Sequence, residues 1–357
     1  MGETIHSDGS LATPIVDVQM ECQGRHTWLA LKLEKYNATG SVKDRTARGL
    51  LHSLASDHPL RPGTVVVEST SGNLGLGLAG VLNGLDCRLI AVVDPKTSEL
   101  TCEAMRSMGA EIHLVDEPDG TGGYLLSRLR RVRQLCAENP DYRWTDQYDN
   151  VANPRVHEEF TGPELLSQLS GNLDTLYVAV STGGTLSGIS AYLRHAAPEV
   201  RLIAVDSVGS HATGWRTDGD RIIPGIGSSR RSTFLEPQSY DRAVKVDSAA
   251  SIAMCRLFRL QTGISLGGSS GAVIHAVLCD QMSGEETQRP AALCADGGEA
   301  YEDTIYNDEW LERIGVAKQV DDRLAYFCEN GVGFRAQGTV IESGFTERNG
   351  SCTHPTR

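Results

Sequence analysis

The chain has 357 residues, enough for two domains with a sizeable core, and its 40% hydrophobic and 6% aromatic content is that of a globular protein. A formal net charge of −13 and the lack of any apolar run of membrane-spanning length argue against nucleic acid and membranes as partners. Nine scattered cysteines without a Cys-x-x-Cys pair, and a first ten residues without the features of a secretory signal, predict a cytoplasmic protein with no metal site.

Short apolar runs alternate with helical patterns along most of the chain. The predicted strands cover residues 65–67, 89–93, 112–115, 176–180 and 202–206, and predicted helices cover residues 74–84, 97–108, 123–136 and 189–193. This alternation predicts an α/β fold with a parallel sheet, helices on both faces, and ligands at the carboxyl ends of the strands. Residues from about 330 lack clear periodicity, and we expect a partly ordered extension there.

Lys43 precedes the first of these strands, in a segment rich in small polar residues. Most such lysines lie on the surface. A lysine held out of water instead has a lowered pKa and can form a Schiff base with a carbonyl compound. The loop after the first strand favours this second interpretation, because its hydroxyl, amide and backbone N–H groups can turn toward an anion. The loop contains Ser69, Thr70, Ser71 and Asn73.

Two glycine-rich turns lie further along the chain. Ser181-Thr182-Gly183-Gly184-Thr185 lies between a predicted strand and a predicted helix, an arrangement that directs backbone N–H groups and the helix dipole at an anion. A plain tight turn is the alternative, and the spacing matches neither a dinucleotide fingerprint nor a P-loop. Ser269, in the turn 267–272, either caps the following helix or offers a neutral hydrogen bond to a ring nitrogen.

Together these segments resemble the β-family of fold-type II pyridoxal phosphate enzymes, which includes cysteine synthase and cystathionine β-synthase. The resemblance covers about residues 12–310. It implies a fold of the tryptophan synthase β type, with two three-layer α/β/α domains, mostly parallel sheets, and a homodimer. The implied large domain takes residues 1–49 and 151–325, the small mobile domain takes 50–150, and 326–357 form an extension of unknown role.

The resemblance also implies roles for individual residues. Lys43 would carry pyridoxal 5'-phosphate and, once released, would act as the base that removes the Cα proton of the substrate. Asn73 would bind the ring oxygen of the cofactor, and Ser269 would face its ring nitrogen, which favours loss of a β-leaving group over transamination. The cofactor phosphate would be held by Thr182, Gly183, Gly184 and Thr185. The α-carboxylate of an amino acid substrate would be bound by Thr70, Ser71 and Gln147, with Ser69 beside them.

Several positions depart from the pattern of the sulfhydrylases in this family. Tyr148 stands where they usually have phenylalanine, and Ser181 where they usually have glycine. Neutral drift accounts for either alone, but the two added hydroxyls together favour a polar nucleophile larger than sulfide. Arg230 is expected to contact a phosphate leaving group, and Arg128 a second carboxylate or the closed state of the small domain. A solvated surface arginine is the alternative for each.

These departures resemble the branch that makes N-(2-amino-2-carboxyethyl)-L-glutamate for 2,3-diaminopropionate, a precursor in siderophore and peptide-antibiotic biosynthesis. The branch implies a transferase of the alkyl-transfer class, in which O-phospho-L-serine loses phosphate and the amine of L-glutamate is added at Cβ. One alternative is a cysteine synthase that uses sulfide with O-phosphoserine or O-acetylserine. Another is a cofactor-binding regulatory or scaffolding protein without turnover. Product assays with L-glutamate and with sulfide separate the branch reaction from a cysteine synthase. A missing spectral response to substrate would indicate the protein without turnover.

Overall fold

The computed structural model of the protein describes residues 12–120, 123–215, 217–219, 221–285 and 287–337. Its strands are β1 (Ile15–Cys22), β2 (Arg25–Leu33), β3 (Val65–Ser69), β4 (Arg88–Val93), β5 (Glu111–Leu114), β6 (Arg143–Trp144), β7 (Thr175–Ala179), β8 (Arg201–Ser207), β9 (Arg242–Val246), β10 (Pro290–Cys294) and β11 (Gly333–Ala336). Its α-helices are α1 (Lys43–Asp57), α2 (Asn73–Asn83), α3 (Glu99–Ser107), α4 (Leu125–Glu138), α5 (Ala152–Val156), α6 (Gly162–Gln168), α7 (Gly184–Ala196), α8 (Ser248–Thr262), α9 (Gly268–Ser283), α10 (Asp308–Arg313) and α11 (Ala317–Glu329). No helix within these ranges is both long and apolar enough to cross a membrane.

The strands form two sheets. The larger has the order β11-β1-β2-β10-β7-β8-β9, and the smaller has the order β5-β4-β3-β6. The smaller sheet is parallel throughout, and the larger is parallel from β2 to β9, with β1 and β11 added antiparallel at one edge. The predicted α/β fold with mostly parallel sheets is therefore confirmed. The smaller sheet lies within the predicted small domain of residues 50–150, whose boundaries stay a prediction.

Helices cover both faces of the sheets, and the central strands are apolar for that reason. Tyr177 points into one buried cluster, whereas its neighbours Leu176 and Val178 point into another on the opposite face. Strands β3 and β10 are buried at every residue. Because the faces are covered, the carboxyl ends of the parallel strands are the places where loops can enclose a ligand.

The predicted extension contributes an edge strand to the larger sheet. Strand β11 pairs with β1 in a register that sets Ala336 opposite Val18 and Phe334 opposite Met20. Phe334 is buried and makes an edge-on contact with Phe258, with ring centroids 5.1 Å apart. The last part of the predicted extension, residues 338–357, lies outside the described part of the chain.

A buried ion network anchors the helix that begins at Lys43. Arg45 donates to Glu34 over 2.8 Å and to Glu164 over 2.7 Å, and Lys32 also pairs with Glu164. All four charged side chains are at most 2% exposed. Burial alone would raise the pKa of Glu164, but the hydrogen bond and charge of Arg45 bring it down to about 2. The network therefore connects β2 and α6 to the first turn of α1.

We expect Arg45→Met to lower the free energy of unfolding by about 3–5 kcal/mol, because it leaves buried carboxylates without their main partner. Urea unfolding followed by circular dichroism measures this change. Arg106→Met is the matched control, since it removes an exposed pair with Glu99, and we expect a much smaller loss from it. Equal losses in the two variants would show that the buried network contributes no more than a surface pair.

Candidate active site

The predicted site segments meet around one cavity of about 1020 Å³. Loops from both sheets form its wall. The predicted residues in this wall are Lys43, Ser69, Thr70, Ser71, Asn73, Arg128, Gln147, Tyr148, Ser181, Thr182, Gly183, Thr185 and Ser269. Gly184 follows directly behind Gly183 at the start of α7, and Arg230 lies outside the wall. The structure thus brings nearly all of these side chains together, while their individual roles stay predictions.

Lys43 is the first residue of α1. The segment before it is held against the end of β10, where Val42 N–H donates to the Ala295 carbonyl over 2.8 Å. Burial lowers the pKa of the Lys43 amine to about 8, and the charge of Glu68 acts in the opposite direction. Near neutral pH this amine is therefore uncharged far more often than that of an ordinary lysine. An uncharged amine is what attack on a carbonyl carbon requires.

The buried Glu68 carboxylate holds the start of the loop between β3 and α2 through hydrogen bonds. This carboxylate accepts hydrogen bonds from the Ser69 N–H over 2.7 Å, the Gln147 N–H over 3.1 Å and the Thr145 hydroxyl. Burial raises the pKa of Glu68 to about 7. Gln147 is also tied to the loop through its own amide, which donates to the Ser69 carbonyl over 2.8 Å. The Ser69 hydroxyl is buried and has no hydrogen-bond partner among the described residues, so the loop retains a polar group for a ligand.

The turn between β7 and α7 requires glycine at two positions. Gly183 has φ +91°, and a Cβ there would overlap the Ser232 hydroxyl. A Cβ on Gly184 would overlap the side-chain amide of Asn153. The turn leads directly into α7. The backbone N–H groups of the first residues of α7 have no partner within the helix. This geometry suits a phosphate group at the helix N-terminus.

His157 lies behind this turn and carries no role in the sequence prediction. Its Nε2 is 3.1 Å from the Thr46 hydroxyl and 3.3 Å from the Thr185 hydroxyl, and its Nδ1 is 2.9 Å from the Thr161 hydroxyl. It opens a π-helical turn over His157–Thr161, a rare element that often marks functional sites. Burial lowers the pKa of His157 well below its usual value, so the imidazole is neutral and links α1 to the first turn of α7.

Three further polar side chains of the cavity wall are those of Arg128, Tyr148 and Ser181. Arg128, on α4, is 6% exposed, and its Nε lies 3.2 Å from the Asp94 carboxylate. Its Nη1 is buried without a hydrogen-bond partner in the part of the chain that the structure describes. Burial raises the pKa of Tyr148, which therefore keeps its hydroxyl proton. The Ser181 hydroxyl donates to the Gly227 carbonyl over 3.2 Å.

Two arginines lie near the cavity, Arg230 outside its wall and Arg221 within it. Arg230 donates to the Asp149 carboxylate over 2.6 Å and lies over the Tyr148 ring, 5.4 Å from its centroid. Arg221, which the sequence analysis did not single out, lines the cavity and donates to the Ser229 hydroxyl over 2.7 Å. No sequence motif marks Arg221, because it lies outside the strands and helices and has no regular spacing to the other site residues.

These residues fit pyridoxal phosphate. A buried amine with a lowered pKa can hold the carbonyl group, a helix N-terminus can hold the phosphate, and the Ser269 hydroxyl, 3% exposed at the start of α9, can face the ring nitrogen. Within the described ranges, no three His, Cys, Asp or Glu side chains are grouped so as to hold a metal ion.

Comparisons with known proteins agree with this geometry. A sequence profile for the family described as "Pyridoxal-phosphate dependent enzyme" matches residues 7–291. The chain is 40% identical over 308 residues, 86% of its length and 90% of the relative's, to an N-(2-amino-2-carboxyethyl)-L-glutamate synthase of Ralstonia nicotianae. It is 38% identical over 316 residues, 88% of its length and 92% of the relative's, to the enzyme of the same name from Cupriavidus metallidurans.

Solved structures show the same fold. An O-ureido-L-serine synthase superposes with a TM-score of 0.76 at 28% identity, covering 84% of this chain and 96% of that one. A hydrogen sulfide-producing enzyme from Fusobacterium nucleatum superposes with a TM-score of 0.75 at 27% identity, covering 81% of this chain and 96% of that one. The overall fold is therefore shared with proteins whose named products differ from one another.

Proposed function

The chain belongs to the family of pyridoxal-phosphate dependent enzymes, and we propose that it replaces the phosphate of O-phospho-L-serine by the amine of L-glutamate. The product would be N-(2-amino-2-carboxyethyl)-L-glutamate, which makes the enzyme a transferase of the alkyl-transfer class. The observation that carries the proposal is the buried Arg128 guanidinium, which has a nitrogen without a hydrogen-bond partner among the described residues and lies in the wall of the same cavity as Tyr148 and Ser181. The names of the two curated relatives support the same reaction.

The cofactor is pyridoxal 5'-phosphate, which when bound withdraws electrons from the Cα of an attached amino acid and so weakens the bonds at that carbon. Lys43 would hold the cofactor, and its amine, with a pKa of about 8, is suited to take and return the Cα proton. Thr70, Ser71 and Gln147 would bind the α-carboxylate of the substrate. The N-terminus of α7 would bind the cofactor phosphate.

The nucleophile side of the cavity distinguishes L-glutamate from sulfide. A buried guanidinium is costly unless an anion accompanies it, and Asp94 contacts only part of the Arg128 fork. A carboxylate of L-glutamate would complete this pairing, with Tyr148 and Ser181 supplying hydroxyls beside it. Sulfide is too small to contact these groups together. We therefore assign Arg128, Tyr148 and Ser181 to selection of the incoming amine.

The leaving phosphate provides a test that compares two arginines. We expect Arg221→Gln to raise the KM for O-phospho-L-serine by about tenfold, because a charge-assisted hydrogen bond from the cavity wall is lost. Arg230→Gln should change this KM less, since Arg230 pairs with Asp149 outside the wall. Initial rates and cofactor content measured for both variants check this ranking. A larger rise in KM for Arg230→Gln than for Arg221→Gln would indicate that Arg230 contacts the phosphate, as the sequence alone suggested.

The whole proposal is tested by the visible spectrum of the holoenzyme. O-phospho-L-serine is added first, and L-glutamate or sulfide is then added in parallel samples, with products identified by mass spectrometry. A spectral change that L-glutamate reverses, with the predicted adduct formed, supports the proposal. Reversal by sulfide alone would make the protein a cysteine synthase. The absence of any response to substrate would favour a regulatory or scaffolding protein.

The wider setting of the reaction follows from resemblance alone. Supply of 2,3-diaminopropionate to a siderophore or peptide antibiotic stays a prediction, as do the homodimer and the cytoplasmic location. Sedimentation of the purified holoenzyme tests the homodimer directly.

A further inference from the structure

Asp296 is a buried carboxylate in the cavity wall, two residues beyond the end of β10, with no role in the scheme above. Its Oδ2 accepts a hydrogen bond from the side-chain amide of Asn73 over 2.7 Å and another from the Tyr301 hydroxyl over 2.5 Å. Its Oδ1 is buried and has no hydrogen-bond partner among the described residues. The side chain is 5% exposed, so these contacts are shielded from solvent.

The backbone of Asp296 is equally engaged. It forms an isolated antiparallel bridge with Ser41, two residues before Lys43, and its carbonyl accepts from the Gly267 N–H over 3.2 Å. Gly267 precedes the helix that carries Ser269, and a Cβ on Gly267 would overlap the Asp296 carboxylate. One residue therefore contacts each of the three segments that bring Lys43, Asn73 and Ser269 to the cavity.

The chemistry of the carboxylate fixes the orientation of the Asn73 amide. An ionised carboxylate only accepts hydrogen bonds, whereas an asparagine side chain has an accepting oxygen at one end and a donating nitrogen at the other. The end that faces Asp296 must then be Nδ2, and the amide oxygen must point away. One Nδ2–H is committed to Asp296, and the second stays available to another acceptor. Tyr301 donates to the same Oδ2 and keeps the carboxylate in place.

We propose that Asp296 is the positioning residue of Asn73: it holds the amide so that its second N–H meets the ring oxygen of pyridoxal phosphate. The proposal rests on the contact between Asn73 and that oxygen, which is itself part of the proposed site. It does not depend on which nucleophile or leaving group the enzyme uses. Tyr301 acts one step further away, by holding Asp296.

The test replaces Asp296 by asparagine, which has the same shape but can donate as well as accept and so lets the Asn73 amide turn over. In Asp296→Asn we expect the Kd for pyridoxal phosphate to rise at least about tenfold and the absorption maximum of the bound cofactor to shift. In a protein that already carries Asn73→Ala, the same change should alter neither quantity further, because the residue that Asp296 positions is gone. Tyr301→Phe should shift both quantities in the same direction but less.

The outcomes separate the proposal from its premise. If Asn73→Ala alone leaves affinity and spectrum unchanged, the contact of Asn73 with the cofactor is wrong, and the proposal falls with it. If Asn73→Ala has an effect but Asp296→Asn has none, or if the two effects simply add, Asp296 is a structural residue only. Should Asp296→Asn fail to fold, Tyr301→Phe decides, and an unchanged spectrum in that variant overturns the proposal.

Discussion

Lys43→Ala is expected to lower product formation at least about a thousandfold while leaving the fold intact. The physical reason is twofold. In the proposed reaction, the variant loses the buried amine, with its pKa of about 8, that would join the cofactor, and it loses the base that would remove the Cα proton. Mass spectrometry of the product formed from O-phospho-L-serine and L-glutamate measures the loss. Dialysis should also remove the cofactor from the variant, because no covalent link retains it.

The control for this experiment is Lys318→Ala, which removes an exposed lysine on α11 and should retain turnover. Thermal unfolding of both variants without cofactor shows whether the fold is preserved. Turnover in Lys43→Ala close to that of the unmodified enzyme would mean that the base lies elsewhere in the cavity.

Arg128→Met is expected to raise the KM for L-glutamate by about ten- to a hundredfold, because a charge-assisted contact with a carboxylate is lost from a buried position. The half-reaction with O-phospho-L-serine alone should change much less. Stopped-flow absorbance separates the two steps, since the first substrate can be added without the second. Sulfide should reverse the spectral change caused by O-phospho-L-serine nearly as fast in the variant as in the unmodified enzyme.

Arg130→Met is the matched control for Arg128→Met, since it lies on the same helix and its side chain is exposed. It should leave both half-reactions unchanged. An equal loss in both half-reactions of Arg128→Met would point instead to closure of the small domain. That result would remove Arg128 from selection of the nucleophile.

The fold and most of the cavity wall were predictable because their signals are local. Buried parallel strands are short apolar runs, and polar or glycine-rich turns at their carboxyl ends mark the ligand side of such a sheet. Residues 65–67 were predicted as a strand, and β3 continues to Ser69, where the loop between β3 and α2 begins. Gly183 illustrates the same point. Its positive φ is a conformation that favours glycine, and the glycine is visible in the sequence.

The remaining features depend on contacts between distant parts of the chain. Asp296 and Asn73 are 223 positions apart, and no pattern around either residue predicts their hydrogen bond. Arg230 stands in a loop near the cavity, but its direction is decided by Asp149, 81 positions earlier. Strand β11 was missed because four residues of mixed polarity become a strand only when β1 offers an open edge. Such pairings are decided by the assembled fold, and sequence periodicity does not record them.

The position of β10 has a consequence for how the protein is made. During synthesis the amino-terminal part of the chain leaves the ribosome first. Strands β2 and β7 therefore emerge long before β10, which lies between them in the sheet. Until residues 290–301 have left the ribosome, the segment with Lys43 has no partner at Ala295, and Asn73 has none at Asp296. We therefore expect the cofactor to bind only after residues 290–301 have left the ribosome. A chain that stops before residue 290 should accordingly bind no cofactor, and the visible absorbance of such a truncated chain mixed with pyridoxal phosphate measures this.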